Sequence, residues 1–282
     1  MAQTNRRRFA PLKLPTEHKT DLPKLQGVIF DVDGTLCLPQ NYMFAQMRAA
    51  LGIPKTTDIL EHISSLPTTA EQELAMESIR AIEREAMASQ VAQPGLQTLM
   101  TYLQDRGVRK AICTRNFEQP VAHLLGKFLV GLDFAPIVTR DFRPPKPDPA
   151  GLLFIARSWG LVRDATNRDS PVTKALLEAA VQGTELEQKG AKGPPPQDGN
   201  KTDGVVVEEE VGDASMLIMV GDSIDDMTAG RRAGAATVLL VNKENAHLAD
   251  HPHTDLVIGS LDELVRVLED GFVGRDILGL AG

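Results

Sequence analysis

Two cysteines, Cys37 and Cys113, are all that 282 residues contain. That is too few for a disulfide framework, and their separation is not zinc-ligand spacing. Reduced, packed thiols in a reducing compartment are expected. No apolar run approaches the roughly 20 residues that a membrane span requires. Positive charge is short as well: 30 Lys and Arg stand against 38 Asp and Glu, for a net charge of −8. A general nucleic-acid-binding role is therefore disfavoured. Arg6-Arg7-Arg8 has no apolar signal core after it. Residues 1–26 hold no serine, and Glu17 and Asp21 interrupt the basic composition of a transit peptide. The expected compartment is the cytoplasm, with mitochondrial import as the minor alternative. What remains is ordinary for a soluble globular chain: 42% hydrophobic and 24% charged residues, enough for one large domain or a core with a small appendage.

The stretch that organises the rest is Gly27-Val28-Ile29-Phe30-Asp31-Val32-Asp33-Gly34-Thr35-Leu36. Val28 to Phe30 reads as a buried strand of a parallel sheet. Ligands of open α/β sheets bind outside the carboxyl ends of the strands, which puts the two aspartates at the mouth of a site. Acids at i and i+2 leave a strand on one face, and Gly34 lets the backbone turn past them. Two carboxylates facing together repel unless a cation neutralises them. A hard divalent ion such as Mg²⁺, which takes one or two carboxylates and keeps sites for water and phosphate oxygens, suits that pair.

Residues 1–26, with Pro11, Pro15 and Pro23, read as an extended arm. Residues 41–91 give three helices and no strand. Tyr42, Phe44, Met47 and Leu51 mark the first, Asp58 caps the second, and Thr69 with Glu73 opens a third carrying Leu74, Ile79 and Ile82. They form a small helical cap inserted after the first strand. The core occupies 27–40, 92–162 and 214–270. Its further strands end in Thr114-Arg115-Asn116, in the stiff proline loop that carries Lys146, and in Gly221-Asp222. Residues 163–213, with Pro194-Pro195-Pro196 and Glu208-Glu209-Glu210, read as a low-complexity, largely disordered insertion, within which Thr173 to Gln188 has helical spacing. Residues 271–282 read as a peripheral tail. Strands alternating with helices imply an α/β, Rossmann-like parallel sheet with helices on both faces, and the polar strand ends converge on one edge.

The ordered set DVDGTL, ICTRN, PPKPDP and VGDSIDDMTAGRRAG resembles the four motifs of the haloacid dehalogenase-like hydrolase superfamily, in the style of its β-phosphoglucomutase-like phosphatase branch. The resemblance covers roughly residues 26–160 and 214–268. It implies that Asp31 is the nucleophile forming an aspartyl-phosphate and Asp33 the general acid and base. It further implies that Thr114, Arg115 and Lys146 bind the substrate phosphate, Thr114 by holding a phosphoryl oxygen and Lys146 by offsetting negative charge. Mg²⁺ would be held by Asp31, the backbone carbonyl of Asp33 and Asp222, supported by Asp226, with adjacent Asp225 as second choice for that last role.

Dehalogenases of the superfamily lack the second acid of the first motif, so Asp33 disfavours that chemistry. Three readings stay open. The preferred one is a Mg²⁺-dependent phosphatase of a small phosphomonoester, a small-molecule phosphate ester being the expected partner rather than nucleic acid or membrane. The second is a phosphomutase, and the third a non-catalytic scaffold on the same fold. The substrate and the oligomeric state are not legible.

Overall fold

A computed structural model describes residues 7–13, 20–40, 42–164 and 210–275. Six parallel strands form the central sheet: β1 (Gly27–Phe30), β2 (Arg109–Cys113), β3 (Ile137–Val138), β6 (Leu217–Gly221), β7 (Ala236–Leu240) and β8 (Leu256–Ile258). Their order is β3-β2-β1-β6-β7-β8, with β1 at the point where chain order reverses. The near-continuous apolar strands follow from burial on both faces. Val28 and Phe30 join one core with Leu96, Leu99, Leu124 and Leu264, whereas Ile29 joins another with Leu152, Ile155 and Ala229. That division is the period-2 alternation of strand side chains, read once for each covering layer. The helices of the first layer are α4 (Leu96–Asp105), α5 (Glu118–Phe128) and α8 (Glu263–Asp270); those of the second are α6 (Ala150–Ser158) and α7 (Ile224–Ala233).

The segment between β1 and α4 folds as three helices with a core of their own: α1 (Tyr42–Leu51), α2 (Ile59–Ser65) and α3 (Thr69–Ala88). Met43, Met47, Ile59, Ile63, Ile79 and Ala86 make that core. Asp58 caps α2, accepting from the Leu60 and Glu61 amides. The third helix opens at Thr69 as its spacing implies, and just before it Thr68 and Glu71 close a reciprocal capping box, satisfying two otherwise orphaned donors. Tyr42 and Leu74, expected on apolar stripes, are exposed, while Met43 and Glu83 take buried positions. Helix propagation sets the period, but packing against the core chooses the face.

Two boundary expectations need correction. Val162–Asp164 (β4) and Glu210–Gly212 (β5) pair antiparallel, so the ends of the 163–213 segment form a two-stranded stem. Its interior, with the helical stretch expected over Thr173 to Gln188, lies outside the described residues. The tail is not peripheral at its start. Phe272 is fully buried against Phe9 of the arm, the Phe9 amide donates to the Phe272 carbonyl, and Arg8 bridges Val273. Neither segment has a period to betray this, because each contributes one aromatic to a shared hole.

Candidate active site

The register that pairs Phe30 with Ile112 and with Val220 brings the ends of β1, β2 and β6 to one level. Asp31 follows β1, Thr114 follows β2 and Asp222 follows β6, while Lys146 enters from the loop between β3 and α6. Lys146 Nζ donates to Asp31 Oδ1 at 2.7 Å and to Asp226 Oδ1, all three groups being buried. Asp31, Asp222 and Asp226 each offer a carboxylate oxygen within 4.8 Å of the others. Burial works against the Lys146 ammonium, yet Asp226 and Asp31 overcome it and hold its pKa above the ordinary lysine value. One cation does not balance three acids. Burial first, then the neighbouring carboxylates, pushes Asp31 up to about 7 and Asp222 up to about 8.

Local sequence explains why the acids come so close. Gly34 has φ +78°, and a Cβ there would lie 2.0 Å from Asp222 Oδ2, so the turn needs both the left-handed conformation and the missing side chain. A Cβ on Gly221 would meet the Asp226 side chain at 2.4 Å. Asp226 is the third residue of α7, where its Oδ2 accepts from Ser223 N at 3.1 Å and from Ser223 Oγ, while its own amide donates to Ser223 Oγ. This capping box locks one carboxylate oxygen and leaves the other for Lys146. The choice between Asp225 and Asp226 is thereby decided for the acidic cluster: Asp226 lies in it, and Asp225 accepts from Arg115 Nη1 at 2.9 Å.

Asp33 stands apart from that cluster, with Asn116 and the Cys37 thiol donating to its carboxylate, the latter at 3.5 Å. Burial holds its pKa above the usual carboxylate range. Cys37 is thus a packed thiol whose proton is retained: burial and Asp33 drive its pKa up. Thr114 is buried, and its Oγ1 accepts from the Asn116 amide at 3.2 Å. Gln93 Nε2 donates to the Gly34 carbonyl at 2.9 Å, and Asn245 Nδ2 to the Asp222 carbonyl at 2.7 Å, holding both loops.

Two model matches now decide the family: haloacid dehalogenase-like hydrolase over residues 25–167, and HAD-hydrolase-like over 204–264. The chain belongs to the haloacid dehalogenase-like hydrolases. An uncharacterized hydrolase of Saccharomyces cerevisiae is 38% identical over 251 residues, covering 88% of this chain and 91% of that one. A phosphoglycolate phosphatase of Pseudomonas syringae pv. tomato is 32% identical over 165 residues, which cover 50% of this chain and 59% of its own length. Among solved structures, CbbY of Rhodobacter sphaeroides superposes with a TM-score of 0.55 at 18% identity, over 85% of this chain and 96% of that one. That last likeness speaks to the fold alone.

Within this hydrolase, Arg115 is the expected site residue that the structure turns elsewhere. Successive residues leaving a strand point to opposite sides. Thr114 is buried, whereas Arg115 is turned outward and spans cap and core, reaching Asp58 at 3.3 Å and Asp225 at 2.9 Å. Sequence reading missed Glu83 and Arg140, a buried pair linking α3 of the cap to the loop after β3, with Arg140 Nη1 3.0 Å from Glu83 Oε1. Arg140 also lies over the Phe117 ring, 4.1 Å from its centroid. A signal existed: Glu83 falls four residues after Ile79 and three before Ala86, on the buried stripe of α3.

Proposed function

We propose that this hydrolase is a Mg²⁺-dependent phosphatase of a small phosphomonoester, working through an aspartyl-phosphate on Asp31. The observation that carries the reading is the convergence of Asp31, Asp222 and Asp226 around Lys146 on one sheet edge, with Asp33 two residues after Asp31 lining a cavity with residues of the cap. The residues fit a hard cation: three clustered carboxylates exceed their lysine by charge, and two of them are pushed up by burial and by each other. Asp31, Asp222 and the backbone carbonyl of Asp33 would hold Mg²⁺, with Asp226 supporting; when bound, it supplies charge neutralisation for the phosphoryl oxygens.

The chain's own groups carry the rest. An Asp31 carboxylate oxygen attacks phosphorus as the bond to the leaving oxygen breaks, and Asp33, whose pKa burial raises, gives that oxygen a proton. Asp33 then takes a proton from the water that attacks the aspartyl-phosphate, and the bond between phosphorus and Asp31 breaks to free phosphate. Thr114 and Lys146 hold phosphoryl oxygens, since phosphoryl transfer asks chiefly for positioning and charge neutralisation. The cap above excludes bulk water. Its tie to the core through Arg115 and Arg140 confines the substrate to a small molecule.

The test is phosphate release from a panel of phosphomonoesters, with and without Mg²⁺, by wild type and Asp31→Asn. Mg²⁺-dependent turnover that drops by about 10⁴-fold in the variant is expected. Turnover surviving in Asp31→Asn, or phosphoryl transfer to a sugar phosphate without release, overturns the reading.

A further inference from the structure

Lys146 donates to Asp31 and to Asp226, but not to Asp222. Among the described residues no lysine, arginine or histidine side chain lies within ion-pair distance of the Asp222 carboxylate. Its donor is a neutral amide, Asn242 Nδ2, 3.4 Å from Oδ2. Asn242 and Asn245 stand in the loop after β7, beyond the last of the four motifs, and each fixes the other. The Asn242 amide donates to Asn245 Oδ1 at 2.6 Å, and the Asn245 amide to Asn242 Oδ1 at 3.1 Å. Glu244 N adds a further bond to Asn242 Oδ1 at 2.8 Å. These backbone donors decide which end of each side chain is oxygen, so both Nδ2 groups are left to donate. That of Asn245, a buried residue, reaches the Asp222 carbonyl at 2.7 Å and the Leu240 carbonyl at 3.0 Å, tying the ends of β6 and β7 together. Asp222 is thus held at its backbone by one asparagine and at its carboxylate by the other, with the backbone of Gly34 close against the same Oδ2.

We infer that Asn242 and Asn245 are positioning residues for the cation: together they brace Asp222 so that the site prefers a small divalent ion to a large one. The inference rests on the reading of Asp222 as a Mg²⁺ ligand. A neutral donor suits that task, because it orients a carboxylate without cancelling its charge. An ammonium in its place would compete with the metal for that charge. Aspartate could not stand in at either position. At 242 it would set a carboxylate oxygen against Asp222 Oδ2, and at 245 against two carbonyls. Mg²⁺ demands near-ideal octahedral geometry and short bonds, while Ca²⁺ accepts more ligands in looser arrangements. Mg²⁺ therefore draws more on a carboxylate already fixed in place, and loosening Asp222 costs Mg²⁺ more than Ca²⁺.

The experiment measures Kd for Mg²⁺ and for Ca²⁺ by calorimetry on the full metal-free chain, as wild type, Asn242→Ala, Asn245→Ala and Asp222→Asn. Wild type is expected to bind Mg²⁺, and Asp222→Asn to lose it. Both alanine variants are expected to weaken Mg²⁺ by about 10–100-fold, the usual cost of removing a partner that orients a metal ligand. Ca²⁺ should weaken by less, so the preference for Mg²⁺ shrinks. Unchanged Mg²⁺ affinity in the alanine variants overturns the inference and leaves Asp222 standing as a ligand. An equal loss for the two ions, which a purely structural role of the loop would give, overturns it as well. Should the buried Asn245→Ala fail to fold, the half-buried Asn242→Ala removes the donor to the carboxylate and reads the same ratio. If wild type binds no Mg²⁺, or Asp222→Asn binds it as tightly as wild type, the metal reading itself falls and the brace falls with it.

Discussion

The acid cluster under the sheet edge and the ion pair under the cap are both buried, and they are built on opposite principles. Around Lys146, three carboxylates share one cation, and burial together with that surplus negative charge raises the pKa of two of them. Around Glu83, one acid meets one base, which lies over Phe117. Burial still lifts Glu83 to about 7, above its ordinary value, but the pair is neutral as a unit. The first arrangement is poor for stability and suited to chemistry that needs a further cation and a phosphoryl group. The second ties cap to core. Buried ion pairs are weak evidence for stability, while breaking one is costly, so the two sites should respond differently to the loss of charge.

The largest effect is expected from Lys146→Ala. It strips the cluster of its lysine and should lower the unfolding free energy by about 3–5 kcal/mol in the absence of Mg²⁺, read from urea unfolding. A loss below about 1 kcal/mol would mean that the cluster is not charge-strained, and the comparison would fail.

Next in size is the linkage between Mg²⁺ and pH. Asp31 and Asp222 have folded-state pKa values raised to about 7 and about 8, from ordinary values near 4. Between those limits the native state binds more protons than the unfolded chain, so metal-free stability falls as pH rises. Mg²⁺ favours the deprotonated acids and reverses that trend. Its stabilisation, about 2.7 kcal/mol at a hundred times Kd, should be full only well above pH 8 and fade toward pH 5. Melting temperatures with and without Mg²⁺ across that range check it; a constant increment would sink the linkage.

The smallest effect belongs to Arg115→Ala. This arginine is about two-fifths exposed and pairs with Asp58 and Asp225, so its loss should cost under about 1 kcal/mol. Phosphate release should survive with KM altered through cap position. An abolished reaction would return Arg115 to the phosphate-binding set.

How much could be read from residues alone divides along the same line. Apolar strand, polar end and ordered motif exposed Asp31, Asp33, Thr114, Lys146 and Asp222, because a parallel sheet delivers every strand end to one edge. Asp226 came only from the motif resemblance, with Asp225 next to it as second choice. The pairing of Arg115 with Asp58 and Asp225 was not legible, because adjacency in sequence carries no information about the side to which a side chain turns. Glu83 was overlooked because an acid on an apolar stripe acquires meaning from its partner, and Arg140 lies 57 positions later. The docking of Phe272 on Phe9, across nearly the whole chain, was hidden for the same reason.

By itself the sequence determined the alternation of strands and helices, the insertion of a cap after β1, and the acids, threonine and lysine that meet at the sheet edge. Those follow from local periods and from the direction of parallel strands. Tertiary structure alone decided which of two neighbouring aspartates joins the cluster, where Arg115 points, which residues of α3 face the core, and how the termini close on each other. Each of these depends on contacts between segments far apart in the chain, and such contacts are selected by packing and charge balance rather than by any local pattern.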